Sequence, residues 1–481
     1  MATPWVKFLL WIYLLFLVWA FATVTNPADP DLWHRLAVGE YLCKNKQFPE
    51  GDVFSYLPDH KFVADHEWGS ALLFYGLWRW GDGTAMVGTK LITLTITLAL
   101  VVWAGFQARR PTVVFAAFYA LVLLALLPSF ASTVRCMIFT HIFFALWLYW
   151  FQRERHGFPV PTILYVLTMV IWANLHGGFV VGLLWLLVVC IVELFFQGSW
   201  KTWAVRLGLC ALATLINPFG SQLWVATARA LVATRSGFNE WAPVRWWTTE
   251  LSYPGYKLLL LGVIVALAIQ ICRLGWKQID RPGIILLGVF TALAFESARH
   301  TSLFALVAGA LVPDFFPLKW PHILVIGPVR RLVVMAMSSA LMLVPLYAAL
   351  IVLPQGKGLE LEYPHVACPL GAVEFLKQDD IRGKLLVPFN YGSYALWELR
   401  GKMRISMDGR YDLIYLPETY RRVDDFFRGK DISLLTTPAP DAILVPQEDA
   451  VYDKLLHNPR WTEAWHDSVD SVFLPVKMAP R

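Results

Sequence analysis

A polytopic α-helical membrane protein carrying a small α/β domain at its C-terminal end is the fold class this sequence predicts, and three observations carry the prediction. The 481 residues are 57% hydrophobic, with a mean hydropathy of +0.52. Only 16% are charged, against about 25% in soluble globular proteins. Apolar runs close to the ~20 residues that a helix needs to cross hydrocarbon recur up to residue 353, after which mixed charge and alternating segment types take over.

The apolar runs occupy residues 5–24, 85–106, 112–130, 136–152, 161–175, 179–197, 203–217, 255–272, 283–296, 301–316 and 332–353, about eleven predicted spans. The first exceeds a signal-peptide core and lacks a small-residue cleavage site, so it is expected to remain as an anchor. Loops on one side carry Lys7, Arg109, Arg110, Arg153, Arg155, Lys201, Arg206, Arg273, Lys277, Arg281, Lys319, Arg330 and Arg331. Short loops rich in Lys and Arg stay cytoplasmic, which also places the N-terminus there. The long connections 25–84 and 217–254, and the tail, then fall outside. The net charge of +6 is dispersed among these loops rather than gathered in a stripe, which speaks against a nucleic-acid partner. Six Cys form no CxxC pair or metal-ligand spacing and read as packing residues.

Two stretches of the first outer loop, 30–43 and 66–80, read as helices lying at the membrane interface. The second is too short to cross comfortably. The domain boundary falls at Pro354-Gln355-Gly356-Lys357-Gly358, dividing a membrane domain (1–354) from a soluble outer-face domain (355–481). In the tail, helices are expected at 371–380, 394–400, 416–428 and 449–457, and strands at 384–389, 403–407, 442–446 and 471–476. The strings Asn390-Tyr391-Gly392-Ser393-Tyr394 and Asp408-Gly409-Arg410-Tyr411-Asp412 read as strand-end turns.

Chemistry is expected where polar groups crowd the end of an apolar span, because such groups are costly unless they meet water, an ion or a headgroup. Asp29-Pro30-Asp31-Leu32-Trp33-His34-Arg35 follows the first span directly. One reading makes its carboxylates helix punctuation, with Pro30 in the first turn. The other makes Asp29 or Asp31 a general base, or a ligand pair for a divalent cation such as magnesium or manganese. Asp65-His66-Glu67 is either a helix start or the source of a second carboxylate. Zinc on His34 and His66 is disfavoured by the lack of ligand spacing. Arg135, Arg299 and His300 sit at span ends, fit either to snorkel toward lipid phosphates or to bind a lipid-linked phosphate. Glu240 shares their side, and His176 lies in Asn174-Leu175-His176-Gly177-Gly178, which serves as a tight turn or points into an outward cavity. Within the spans the charged residues are few, Lys90 and Glu193 foremost, which favours chemistry on one face over a route across the membrane.

The order of one span, a long outer loop with an acidic motif and interfacial helices, many further spans and an outer domain resembles the GT-C superfamily of polyprenyl-phosphate-dependent membrane glycosyltransferases. The strings DPDLWHRLAVGEYL (29–42), FVADHEW (62–68), WANLHGGFVVG (172–182), FNYGSYALW (389–397) and SMDGRYD (406–412) resemble an uncharacterised bacterial multi-spanning group related to it. The resemblance implies a GT-C-like fold in the bacterial inner membrane, with the tail domain periplasmic or extracellular. It also implies inverting transfer of a sugar from a polyprenyl phosphate or diphosphate donor to a lipid, glycan or protein acceptor. By position the activating carboxylate is Asp29 or Asp31, with Asp65 or Glu67 as a second. His34, Arg35, His66, Arg135, His176, Glu240, Arg299 and His300 are the expected substrate contacts. The chain departs from the mannosyltransferase pattern, in which the first-loop acid is followed directly by another. The rival is a non-catalytic role: binding of lipid-linked sugar, flipping of the carrier, or assembly of envelope polysaccharide.

Overall fold

The computed structural model describes residues 4–57, 64–108, 113–131, 134–232, 239–245, 253–276, 279–315, 328–378 and 381–476. Arg109, Arg110, Lys277, Lys319, Phe62, Val63, Asp379 and Asp380 lie outside the described residues. The chain is mostly helical. In order come α1 (Pro4–Ala22), α2 (Pro30–Asn45), α3 (Trp68–Ala108), α4 (Val113–Leu126), α5 (Met137–Arg155), α6 (Thr162–Leu175), α7 (Phe179–Phe195), α8 (Trp200–Ala213), α9 (Gln222–Val232), α10 (Pro254–Leu274), α11 (Arg281–Glu296), α12 (Thr301–Leu311) and α13 (Pro328–Val352). The tail adds α14 (Leu370–Gln378), β1 (Gly383–Leu386), α15 (Phe389–Glu398), β2 (Met403–Ile405), α16 (Tyr411–Ile414), α17 (Pro417–Phe427), β3 (Ala442–Pro446), α18 (Val451–Leu456), β4 (Trp461–His466) and β5 (Asp470–Pro475).

A helix occupies each of the eleven apolar runs. By length and hydropathy, Trp68–Gln107 and Pro254–Cys272 suffice to cross a membrane, whereas Lys7–Ala22, Val114–Phe130, Thr162–Leu175, Phe179–Phe195 and Met342–Gln355 are apolar but shorter. Non-helical backbone at Gly81 and Asp82 interrupts α3, so the aromatic run 68–80 is a separate short helix ahead of the apolar one.

Two compact units emerge. The first comprises residues 1–26, 87–218 and 234–360, and the second 27–86, 219–233 and 361–481. In the first unit α12 is buried at every position from Thr301 to Leu311 and is packed by α4, α5 and α11. Its Gly309 meets Val101 where a Cβ would approach to 2.4 Å, and the Gly309 carbonyl accepts from Tyr119 Oη at 2.8 Å. Outer faces stay apolar: α6 exposes Ile163, Leu167 and Ile171, and α10 exposes Leu258, Leu261 and Ile264. Lys90 is buried and donates to the Thr25 carbonyl at 3.0 Å and to Asn26 Oδ1 at 3.1 Å. Glu193 accepts from Ser199 N at 2.8 Å and so closes the turn after α7.

The second unit is a five-stranded mixed sheet in the order β2-β1-β3-β5-β4, parallel from β2 to β3 and antiparallel thereafter. Central β3 reads Ala-Ile-Leu-Val-Pro because buried strands covered on both faces need no polar alternation. Leu386, Ile443, Val445, Val451, Phe426 and Phe473 form its core, joined by Leu57 from the first long loop. That loop also extends the sheet at its β2 edge, with Ile405 N donating to the Phe54 carbonyl at 3.0 Å and Tyr56 N to the Ile405 carbonyl at 3.1 Å. Strand β4 and helix α9 are absent from the sequence expectations. Trp461-Thr462-Glu463-Ala464-Trp465-His466 lacks a clean alternation because a register irregularity falls between Glu463 and Trp465.

Candidate active site

Helix α2 begins where the sequence places its punctuation. Asp29 is the N-cap, its Oδ1 accepting from Asp31 N at 3.0 Å, and Pro30 occupies the first turn. Asp29 is buried while Asp31 is half-buried. The helix packs its polar residues as well as its apolar ones into the fold. Leu32, Trp33, His34, Arg35, Leu36, Ala37, Gly39 and Leu42 are all buried, because α15 packs along it. Gly39 permits close approach to the first part of α3, where a Cβ would meet the Ala71 carbonyl oxygen at 2.2 Å. Trp33 stacks on Tyr363 at 5.5 Å and meets Trp78 and Tyr394 edge-on.

The Asn390–Tyr394 string is the opening of α15 rather than a turn. Gly392 is there for close packing: a Cβ would lie 1.9 Å from the Met407 carbonyl oxygen. This contact sets Ser393 beside Gly409, whose N–H donates to Ser393 Oγ at 3.0 Å, and Ser393 Oγ stands 3.2 Å from His34 Nδ1. At Gly409 a Cβ would meet Asp31 Oδ1 at 2.7 Å, His34 Nδ1 at 3.0 Å and Ser393 Oγ at 3.0 Å. A carboxylate, an imidazole and a hydroxyl from distant parts of the sequence thus converge on one glycine. Burial, then the Arg35 charge, pushes the His34 pKa down to about 4, so the ring is neutral at neutral pH. Its Nε2 is buried and has no partner among the described residues.

Beneath this cluster Arg410 bridges two buried carboxylates, at 2.8 Å to Asp52 and 2.6 Å to Asp408, and Tyr415 Oη donates to Asp408 at 3.0 Å. Burial opposes the charge on Asp408, but Arg410 outweighs it and holds the pKa near 2. Beside the pair opens a small cleft walled by Tyr41, Phe48, Phe54 and Phe219, with Asp52, Asp65 and Arg410 among its polar edges. Ser393, Asp408, Arg410 and Asp52 were missed as site residues. The available signal was the pair of glycines, Gly392 and Gly409, in strings that read as turns.

Arg35 is spoken for on the same helix. It donates to both Asp65 oxygens at 2.8 Å and pairs with Glu67 at 2.7 Å. Asp65 in turn accepts from Glu67 N at 2.9 Å, closing the turn that leads into α3. His66 Nε2 lies 3.8 Å from Glu67. The second-carboxylate candidates therefore gather on Arg35. For a metal, Asp29 is engaged as a cap, and among the described residues no group of three His, Cys, Asp or Glu could hold an ion. With Asp29 Oδ1 committed to Asp31 N, the donor set does not fit a divalent cation on Asp29 and Asp31.

The remaining candidates belong to the first unit. Arg135 and Arg299 both pair with Glu240, at 2.8 Å and 3.2 Å. His176 Nδ1 lies 2.7 Å from Thr140 Oγ1 and accepts from Gly178 N at 3.0 Å, fixing the turn between α6 and α7. His300 Nδ1 donates to the Leu293 carbonyl at 3.1 Å, closing the end of α11.

No family model matches the sequence, and no curated protein matches it. Among solved structures the chain is similar to ArnT from Cupriavidus metallidurans bound to undecaprenyl phosphate, with a TM-score of 0.55 and 13% identity over 100% of both chains. At that identity the likeness is one of fold alone.

Proposed function

We propose that this chain is a membrane glycosyltransferase that moves a sugar from a polyprenyl-phosphate-linked donor to an acceptor at the outer face of the bacterial inner membrane. The observation that carries the reading is the full-length fold match to ArnT, whose structure holds undecaprenyl phosphate. Apolar outer faces on α6 and α10 support membrane residence, since such patches are rare on soluble proteins. The eleven-span topology with a cytoplasmic N-terminus, and kinship with the group that shares the DPDLW string, are part of the same proposal.

In the proposed step the acceptor oxygen attacks the anomeric carbon, and Asp31 takes the acceptor's proton. The bond from that carbon to the phosphate oxygen breaks with inversion, and its electron pair leaves on the phosphate. Asp31 is preferred to Asp29 because Asp29 is buried and committed to its helix. Asp65 and Glu67 hold Arg35, and Ser393 and Gly409 hold His34, so these four orient the polar face of α2. Within the first unit, Arg135 and Arg299 are candidate contacts for a lipid phosphate, which guanidinium binds bidentately.

The rival transport reading needs charges placed along a path. Lys90 is instead bound to the Thr25 carbonyl and Asn26 Oδ1, and Glu193 to Ser199 N, which weighs against it. The test is transfer from a radiolabelled polyprenyl-phosphate-sugar pool in membranes that contain the protein. Full activity in a doubly substituted Asp29→Asn, Asp31→Asn chain sinks the assignment, and tight donor binding without turnover in the native chain favours the non-catalytic alternative.

A further inference from the structure

We infer that Arg410 is a positioning residue for Asp31: gripped by two buried carboxylates, it holds Gly409 against the Asp31 carboxylate and so fixes where that oxygen stands. The inference rests on the reading above that Asp31 takes the acceptor's proton, and it gives a role to Asp52, Asp408 and Arg410, to which that reading gives none.

Residues 406–410 connect β2 to α16. The Arg410 guanidinium makes two forks at once. One reaches Asp408, with Nε at 2.8 Å from Oδ1 and Nη2 at 2.6 Å from Oδ2, and the other reaches Asp52, with Nη1 at 2.8 Å from Oδ1 and Nη2 at 3.2 Å from Oδ2. The Arg410 backbone N–H also donates to Asp408 Oδ1 at 2.9 Å, while Asp408 N donates to Tyr415 Oη at 3.1 Å. Asp52 is anchored in turn. It accepts from Phe54 N and Ser55 N at 3.1 Å each, and the Phe54 carbonyl accepts from Ile405 N on the β2 edge at 3.0 Å. The backbone on either side of Gly409 is therefore tied down.

Gly409 itself is pressed into the cluster on α2. Its N–H donates to Ser393 Oγ at 3.0 Å, and a Cβ there would stand 2.7 Å from Asp31 Oδ1 and 3.0 Å from His34 Nδ1. Two residues on, Tyr411 has a φ of 23°, which a residue with a Cβ rarely adopts. Such strain persists only where the surroundings over-determine the backbone, and it collects at functional sites. Burial points the same way. The Asp52 and Asp408 side chains are fully buried and share one arginine, whereas apolar residues of similar volume often pack such a corner at lower cost. What the polar version adds is a single orientation, because a planar guanidinium gripped by two forks has one place to sit. A general base needs that. Its oxygen must come within hydrogen-bond reach of the acceptor oxygen, about 2.6–3.2 Å. Misplacement by about 1 Å slows a reaction by about 10²-fold.

The test uses the full chain in membranes that hold the radiolabelled polyprenyl-phosphate-sugar pool, with farnesyl phosphate as a separate binding probe. Arg410→Lys keeps the charge but cannot make two planar forks. Transfer per folded chain is expected to fall about 10–100-fold, while farnesyl phosphate affinity stays native. The deciding readout is a double-mutant cycle. In an Asp31→Asn chain the same Arg410→Lys change slows the residual transfer by less than about threefold, because its effect runs through Asp31. A merely structural role costs the same factor in both backgrounds and overturns the inference. So does native transfer in a folded Arg410→Lys chain, or a loss of farnesyl phosphate affinity that matches the loss of transfer. If Arg410→Lys does not fold, Asp52→Asn takes its place in the cycle: it loosens one fork alone, and it should slow transfer severalfold in the native background and add nothing in the Asp31→Asn one. Failure of the cycle while Asp31→Asn still slows transfer removes the positioning role and leaves the glycosyltransferase standing.

Discussion

Ser393 Oγ lies 3.2 Å from His34 Nδ1 and accepts the Gly409 N–H at 3.0 Å, so one hydroxyl ties the first long loop to two strings of the tail. Ser393→Ala strands a buried N–H and a ring nitrogen together, which is expected to cost about 1–3 kcal/mol. Denaturation of the purified chain measures it, and no loss of stability refutes the hydroxyl's role.

The two aspartates of α2 should separate cleanly. Asp29→Ala removes a cap and lowers stability by about 0.5–2 kcal/mol. Asp31→Asn leaves the melting temperature nearly unchanged but reduces transfer by about 10²–10⁴-fold if it removes the general base. Equal effects of both on stability and on transfer contradict the assignment of roles.

Acid should weaken the second unit in two stages. His34 titrates near 6.5 when unfolded and near 4 when folded, so above pH 6.5 its burial costs nothing extra. As pH falls from 6.5 toward 4 the unfolded chain takes a proton that the folded one refuses. Stability drops by up to about 3 kcal/mol, at 1.36 kcal/mol per pH unit. Asp408, held near 2 in the fold against 3.8 ordinarily, adds a further loss as pH falls below 3.8. A His34→Gln variant should lack the first stage. Persistence of that stage in the variant assigns it to another group.

Gly392→Ala places a methyl group 1.9 Å from a backbone carbonyl oxygen that has no room to retreat. Overpacking of this kind costs about 1–3 kcal/mol, and here it also displaces Ser393 from Gly409. Gly409→Ala intrudes on Asp31, His34 and Ser393 together and should depress transfer more than stability. Limited proteolysis beside the transfer assay tells the two apart.

Much of the architecture was legible because it is locally encoded. The apolar runs became helices, the Asp29-Pro30 start of α2 was readable as a cap, and β3 was found at its observed bounds, since a continuous apolar strand announces its burial. Misreadings arose where a residue type had two uses. Gly392 looked like a turn former but serves close packing inside a helix. His34 and Arg35 stand among the expected substrate contacts, but His34 packs against Ser393 and Arg35 is paired with Asp65 and Glu67.

Periodicity, charge bias and capping residues by themselves determined that the chain is a series of apolar helices followed by a small α/β segment, and they marked the heptapeptide from Asp29 to Arg35. Those signals depend only on residues within a few turns of one another. Only the tertiary structure decided that residues 27–86 fold with the tail, and that Arg35 faces Asp65 and Glu67 while His34 faces Ser393. It also decided that two span-end arginines share Glu240. Each of those pairings joins groups far apart in the chain, and their partners are chosen by which polar atoms are left buried and unmatched once the apolar surfaces have packed.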